Sequence, residues 1–243
     1  MLIRVINPNT TASMTALIER SARAVAGPGT VIEAVTSPMG PASIESHYDE
    51  ALAVPGLLAS LSSSSAPPDA FVLACFGDPG LDAAREVARG PVIGMAEAAM
   101  HAAGFLGRGF SVVTTLDRTK GRAWELAARY VPPGACRGVY ACDIPVLALE
   151  SDPAVLERVV DLARTALDRD GSDVIVLGCA GMADLCAAVS TELGVPVIDG
   201  VAAAVTMAEA LIRLGATTST RGEYAPPPPK LYTGALEDFG ISV

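Results

Sequence analysis

The sequence predicts an α/β protein built from two pseudo-symmetric copies of one unit of about a hundred residues. Three observations carry this. First, Asp69-Ala-Phe-Val-Leu-Ala-Cys75 and Asp173-Val-Ile-Val-Leu-Gly-Cys179 each read as a short apolar strand ending in cysteine and running into a glycine-containing turn. The offset from 75 to 179 is 104 residues, and it also brings Asp69 onto Asp173 and Leu73 onto Leu177. Second, Gly90-Pro-Val-Ile-Gly94 is answered by Val195-Pro-Val-Ile-Asp-Gly200, each followed by an Ala/Met-rich helical run carrying a glutamate, Glu97 or Glu209. Third, the strand-like residues 2–6 open the first copy as residues 110–114 open the second. Apolar runs of this length fit strands covered on both faces, the pattern of a parallel sheet.

Taken in order, residues 2–6 form a strand and Asn7-Pro-Asn-Thr-Thr11 the turn after it. Thr10, Thr11 or Ser13 is placed to cap a helix running to about Val25, which Gly27-Pro-Gly29 ends. Residues 31–35 are a second strand and 46–61 a helix, with Pro55-Gly56 a point where it can kink or split. A polar linker, 62–68, leads to the first cysteine strand. Then come a helix at 81–88, a short strand at 92–93 and a helix at 96–105. The glycines between 104 and 109 mark the boundary between copies.

The second copy repeats the scheme: strand 110–115, helix 119–130, strand 139–143, and a helix opened by Pro153 with apolar spacing at Leu156, Val159, Val160, Ala163 and Leu167. The second cysteine strand, a helix at 183–193 and a strand at 196–198 follow. The last helix covers 203–214. A tail containing Pro226 to Pro229 is extended and expected to lie along the first copy. We group 1–103 with 204–243 as the first α/β domain, holding Cys75, and 104–203 as the second, holding Cys179.

Composition narrows the function. Among 243 residues, 51% are hydrophobic and 18% charged, enough apolar content for a substantial core. A formal charge of −10 and the lack of a basic stripe argue against nucleic acid. No apolar run reaches a membrane span, and the opening strand carries Arg4 where a leader would be apolar, so a cytoplasmic location and no membrane partner are expected. Five cysteines without short paired spacings do not describe a disulfide scaffold.

Cys136, Cys142 and Cys186 read as small apolar fillers. Cys75 and Cys179 differ, since each stands at a strand's carboxyl end, where open α/β sheets place ligands, and beside the free amides of a turn. Those amides are expected to lower the thiol pKa. No metal site is expected, because no Cys-x-x-Cys pair exists and His47 and His101 lack a histidine at helical spacing. His47 reads as solvated and Asp78 as a helix cap. Neither a dinucleotide fingerprint nor a phosphate loop is present, and a Cys–His protease needs one nucleophile rather than two equivalent cysteines. Two thiols related by pseudo-symmetry suit proton removal from one face of a carbon and delivery to the other. Amides after each cysteine would stabilise the enolate-like intermediate.

Asn7-Pro-Asn-Thr10, Ala74-Cys-Phe-Gly-Asp-Pro-Gly-Leu81, Gly178-Cys-Ala-Gly-Met182 and Pro196-Val-Ile-Asp-Gly200 resemble the Asp/Glu/hydantoin racemase superfamily, most closely its hydantoin and allantoin racemase branch. The likeness covers essentially the whole chain. It implies two Rossmann-like α/β domains with the active site in the cleft between them, and cofactor-independent racemisation by a cysteine pair. Carried over by position, Cys75 and Cys179 are the acid/base pair, and Asn9, Ile44, Thr114 and Thr115 face the substrate. Phe76, Gly77, Ala180 and Gly181 supply backbone contacts around the sulfurs. Few basic residues flank the loops, so a neutral hydantoin-like ring, allantoin included, is expected as the small-molecule substrate rather than a dicarboxylate. Neither cofactor nor metal is called for, and a homo-oligomer is expected. The competing readings are a decarboxylase or cis–trans isomerase on the same scaffold, an Asp/Glu-type amino-acid racemase, and a non-enzymatic small-ligand binder.

Overall fold

In a computed structural model, residues 1–62 and 67–240 are described. The first half contains β1 (Leu2–Asn7), α1 (Ala12–Val25), β2 (Val31–Thr36), α2 (His47–Leu61), β3 (Ala70–Leu73), α3 (Leu81–Val87), β4 (Val92–Gly94) and α4 (Met95–Leu106). The second contains β5 (Phe110–Thr114), α5 (Lys120–Tyr130), β6 (Cys136–Ala141), α6 (Val155–Asp170), β7 (Val174–Leu177), α7 (Cys186–Leu193), β8 (Val197–Ile198) and α8 (Gly200–Arg213). The strands make two four-stranded sheets of equivalent order, β2-β1-β3-β4 and β6-β5-β7-β8. Every pairing is parallel, with Ile6 opposite Leu73 in one sheet and Val113 opposite Leu177 in the other.

Alternation along the strands sorts side chains into layers. Ile3, Val5 and Val72 of the first sheet join Val112, Val174 and Val176 of the second in one continuous core. Ile6, Phe71 and Leu73 point the other way, onto Leu57 and Leu81. Val113, Ile175 and Leu177 likewise meet Val159 and Ala163 of α6. Each such side chain contributes about 1.5–3 kcal/mol when fully buried. The halves are also interleaved: α8 packs on β3 and β4, while α4 packs on β5 and β7. Each half thus lends its last helix to the opposite sheet.

Local differences from the sequence reading have identifiable causes. Thr11 stands at the N-cap of α1 without capping it, because its hydroxyl donates to the Ala42 carbonyl at 2.7 Å. Pro55 lies inside a continuous α2, where the carbonyl it leaves without a helical donor belongs to exposed Ala51. The β6 strand begins at Cys136 rather than 139, since Cys136 and Gly138 pair with Phe110 and Ser111 of β5, with Arg137 bulged between them. Residues 180–185 form a 3₁₀ segment ahead of α7, and Asp199 starts α8 early by accepting from the Val201 N–H at 2.9 Å. Residues 63–66 of the polar linker lie outside the described residues. The tail crosses the first half, with Thr218 donating to the Gly90 carbonyl and the Tyr224 hydroxyl to Asp82. Among the described residues no helix is long and apolar enough to cross a membrane.

Candidate active site

The carboxyl ends of the two sheets face one cavity of about 170 Å³. β3 stops at Leu73 and β7 at Leu177, so Cys75 and Cys179 each follow their strand by two residues and enter the cavity wall from opposite halves. The turn after β1 adds Asn9 on one side, and the last residue of β5 and the one after it, Thr114 and Thr115, stand on the other. Ile44, Phe76, Gly77 and Ala180 are in the lining as expected, whereas Gly181 is not among the residues that line the cavity.

Hydrogen bonding shows which of these groups have capacity left for a ligand. The Asn9 side-chain oxygen accepts from the Asn7 amide and the Thr11 N–H, both at 2.9 Å, while its own amide has only the weak acceptor Met14 Sδ at 3.0 Å. Thr114 donates to the Gly178 carbonyl at 3.2 Å, which ties the strand end to the residue before Cys179. The Thr115 hydroxyl has no partner among the described residues and is the freer of the two.

The sulfurs themselves overturn one expectation. Burial in the cleft pushes both thiols up to about 12, against the opposing effect of one backbone N–H each, from Gly77 at Cys75 and from Gly181 at Cys179. The neighbouring Cys179, Glu50 and Asp78 raise Cys75 further, as Cys142 and Glu45 raise Cys179. Turn amides are therefore present, but a single N–H does not offset the lost hydration of an anion. The helix that was to assist Cys75 also starts only at Leu81. Both cysteines still line the cavity and are half-buried rather than fully buried residues.

Asp78 is a cap, though of a different helix from the adjacent one. It is 4% exposed and accepts from the Ala96 and Glu97 N–H groups at 3.0 and 2.9 Å, closing the start of α4. Those bonds hold its backbone at φ 45°, and burial raises its pKa to about 6. The Tyr130 hydroxyl, buried and without a hydrogen bond of normal geometry, faces it from the second half.

Sequence reasoning missed the charged part of the wall. Glu45, Glu50, Arg118 and Arg122 line the cavity, and His47, although exposed, borders it beside Glu50 at 3.7 Å. The expectation of few basic groups around the loops is thus corrected by Arg118 and Arg122. Their signal was their spacing, three and seven residues beyond Thr115, which puts both on the face of α5 and its leading turn that looks back at the strand ends. Glu45 accepts from the Val146 N–H at 2.7 Å and so joins the halves across the cleft. Among the described residues no group of three His, Cys, Asp or Glu side chains is arranged to hold a metal ion.

Comparison with known proteins supplies the family. The family model described as "Asp/Glu/Hydantoin racemase" matches residues 3–208, which span both cysteine loops. The chain belongs to that family. A hydantoin racemase of Rhizobium meliloti is 49% identical over 239 residues, covering 96% of this chain and 98% of that protein. Another, from Pseudomonas sp. (strain NS671), is 46% identical over 242 residues, covering 99% and 97%. Among solved structures, the allantoin racemase from Klebsiella pneumoniae superposes with a TM-score of 0.95 at 48% identity, covering 99% of both chains.

Proposed function

We propose that this protein racemises 5-substituted hydantoins, allantoin among them, by proton transfer between Cys75 and Cys179. The observation that carries the reading is the pair itself: two cysteines at equivalent positions of a duplicated unit, facing one cavity from opposite halves, each followed two residues later by a glycine. Family membership and relatives named for hydantoin and allantoin racemisation supply the substrate class.

In one direction the Cys75 thiolate takes the C5 proton, and the C–H electron pair moves into the adjacent C4 carbonyl as an enolate. The Cys179 thiol then gives its proton to the opposite face of C5, becoming the thiolate. The reverse direction exchanges the roles. Thr115, Thr114 and the Asn9 amide line the cavity and would meet the ring's carbonyl and N–H groups. Ile44 offers an apolar contact beside them. A thiol whose pKa lies near 12 is a strong base once ionised, which suits removal of a weakly acidic C–H. No cofactor takes part in these steps.

Chiral chromatography of a hydantoin panel tests the reading. It should include allantoin and, because Arg118 borders the cavity with no ion-pair partner among the described residues, hydantoins with acidic as well as neutral 5-substituents. Loss of optical purity in at least one member is expected; a panel left entirely unracemised by folded protein would sink the proposal.

A further inference from the structure

We infer that Arg122 is a positioning residue for Cys75, acting from the opposite half of the molecule by holding the carbonyl of Gly77. This rests on the proposed two-cysteine reaction and extends it to a residue outside the acid/base pair.

Arg122 lies on α5, in the second half, and its guanidinium crosses the cleft. Nε and Nη2 both donate to the Gly77 carbonyl, at 3.1 and 2.8 Å. Nε also lies 3.5 Å from Glu50 Oε1 on α2, and Nη1 donates to Glu125 at 3.3 Å on its own helix. Gly77 is thereby pinned on two sides, since a Cβ there would stand 2.6 Å from Glu50 Oε1. The consequence falls on Cys75, two residues earlier in the same turn, because the peptide unit whose carbonyl Arg122 holds also donates its Asp78 N–H to the Cys75 carbonyl at 3.0 Å. The Gly77 N–H in that turn opposes the rise of the thiol pKa.

The other loop is built differently. The carbonyl before Cys179, that of Gly178, is held by Thr114 within the same half. The N–H beside Cys179 comes from Gly181, where a Cβ would stand 2.9 Å from Leu149 Cδ1, also of the second half. The donor at Cys75 is therefore set by contact between halves, and the donor at Cys179 by its own half. The charged and titratable groups around Cys75 are Glu50 from α2 with His47 beside it, Asp78 from its own loop, Glu45 and Arg118 in the cavity wall, Cys179 from the second half, and Arg122 acting through Gly77 and Glu50.

The test is site-resolved alkylation. Wild type, Arg122→Met, Arg122→Lys and the Arg122→Met/Glu50→Gln double variant are treated with iodoacetamide over a pH series, and Cys75 and Cys179 peptides are quantified by mass spectrometry. In Arg122→Met the pH–rate curve of Cys75 should move to higher pH, with that of Cys179 unmoved. Arg122→Lys, keeping the charge and one donor on Gly77, should fall between; if the methionine variant does not fold, the lysine variant decides alone. The double variant should stay displaced, because the action runs through Gly77 rather than through the charge of Glu50. On a hydantoin that wild type racemises, kcat should fall about tenfold, with a smaller change in KM. An unmoved or lowered Cys75 curve, both curves moving together, restoration by Glu50→Gln, or a rise in KM alone would each overturn the inference. Wild type that racemises no hydantoin would refute the proposed function and leave the alkylation result on Arg122 standing.

Discussion

The loops after β3 and β7 present the same chemistry on different supports. Each carries a cysteine two residues beyond its strand and a glycine N–H two residues beyond the cysteine. Each strand also begins alike, Asp69 accepting from the Leu2 N–H and Asp173 from the Arg108 and Gly109 N–H groups. The supports diverge beyond that. In the first half, Asp78 from the cysteine loop caps α4, and Gly94 leaves the space it needs. In the second half the loop has Met182 at that position, packed in the outer core, and α8 is capped by its own Asp199, which stands where the first half has Gly94. The carboxylate that closes the helix has changed places while the sulfur and its donor have stayed. Duplication thus held the reacting groups in register and left the scaffold free to vary.

The largest expected effect should erase the difference between loops. Cys75→Ser and Cys179→Ser should each lower racemisation by about 10²-fold or more, since a hydroxyl is a far weaker base than a thiolate. Each should retain exchange of the C5 proton with heavy water for one enantiomer only, and the two variants for opposite enantiomers, as read by NMR on pure enantiomers. Exchange of the same enantiomer in both, or normal racemisation by either, would break the equivalence of the sulfurs.

A second change should expose the difference. In Gly94→Ala the new Cβ would stand 2.5 Å from the Asp78 carboxyl carbon, with no room to yield around a group this buried. A loss of about 1–3 kcal/mol in unfolding free energy is expected, together with slower alkylation of Cys75 than of Cys179. Chemical denaturation and peptide mapping measure both, and an unchanged denaturation midpoint would remove Asp78 as the loop's anchor.

The pH dependence returns to what the loops share. Both thiols are raised by burial to about 12 from the ordinary thiol value of 9.0. Between these values the folded chain keeps protons that the unfolded chain has released, so stability declines as pH rises through that window. Thermal unfolding temperature should fall above pH 9, and fall less steeply in Cys75→Ala and Cys179→Ala. Alkylation of either cysteine should climb about tenfold per pH unit below its pKa. A plateau beginning near pH 7 for one cysteine would show that the loops do not share this environment.

The smallest effect belongs to the second half's cap. Asp199→Ala should cost about 1 kcal/mol, the ordinary value of an N-cap, through the Val201 N–H and the Ser21 hydroxyl that Asp199 accepts from. Cys75 alkylation should be unaffected, and a displaced Cys75 curve would mean that the caps are not independent.

Much of this was determined by the sequence alone. Strand–cysteine–glycine periodicity is local, so the duplicated parallel sheets and the placing of Cys75, Cys179, Asn9, Thr114 and Thr115 at sheet ends could be read from residue order. Gly77 as one of the free turn amides beside Cys75 is also read from residue order, whereas Gly181 follows only from the family resemblance. The tertiary structure decided what depends on distant segments meeting. Asp78 caps a helix that begins at Met95, Arg122 reaches a carbonyl 45 residues earlier in the chain, and α4 and α8 trade sheets. It also decided the thiol pKa values: a turn amide is legible in sequence, but the desolvation that outweighs it comes from walls supplied by both halves.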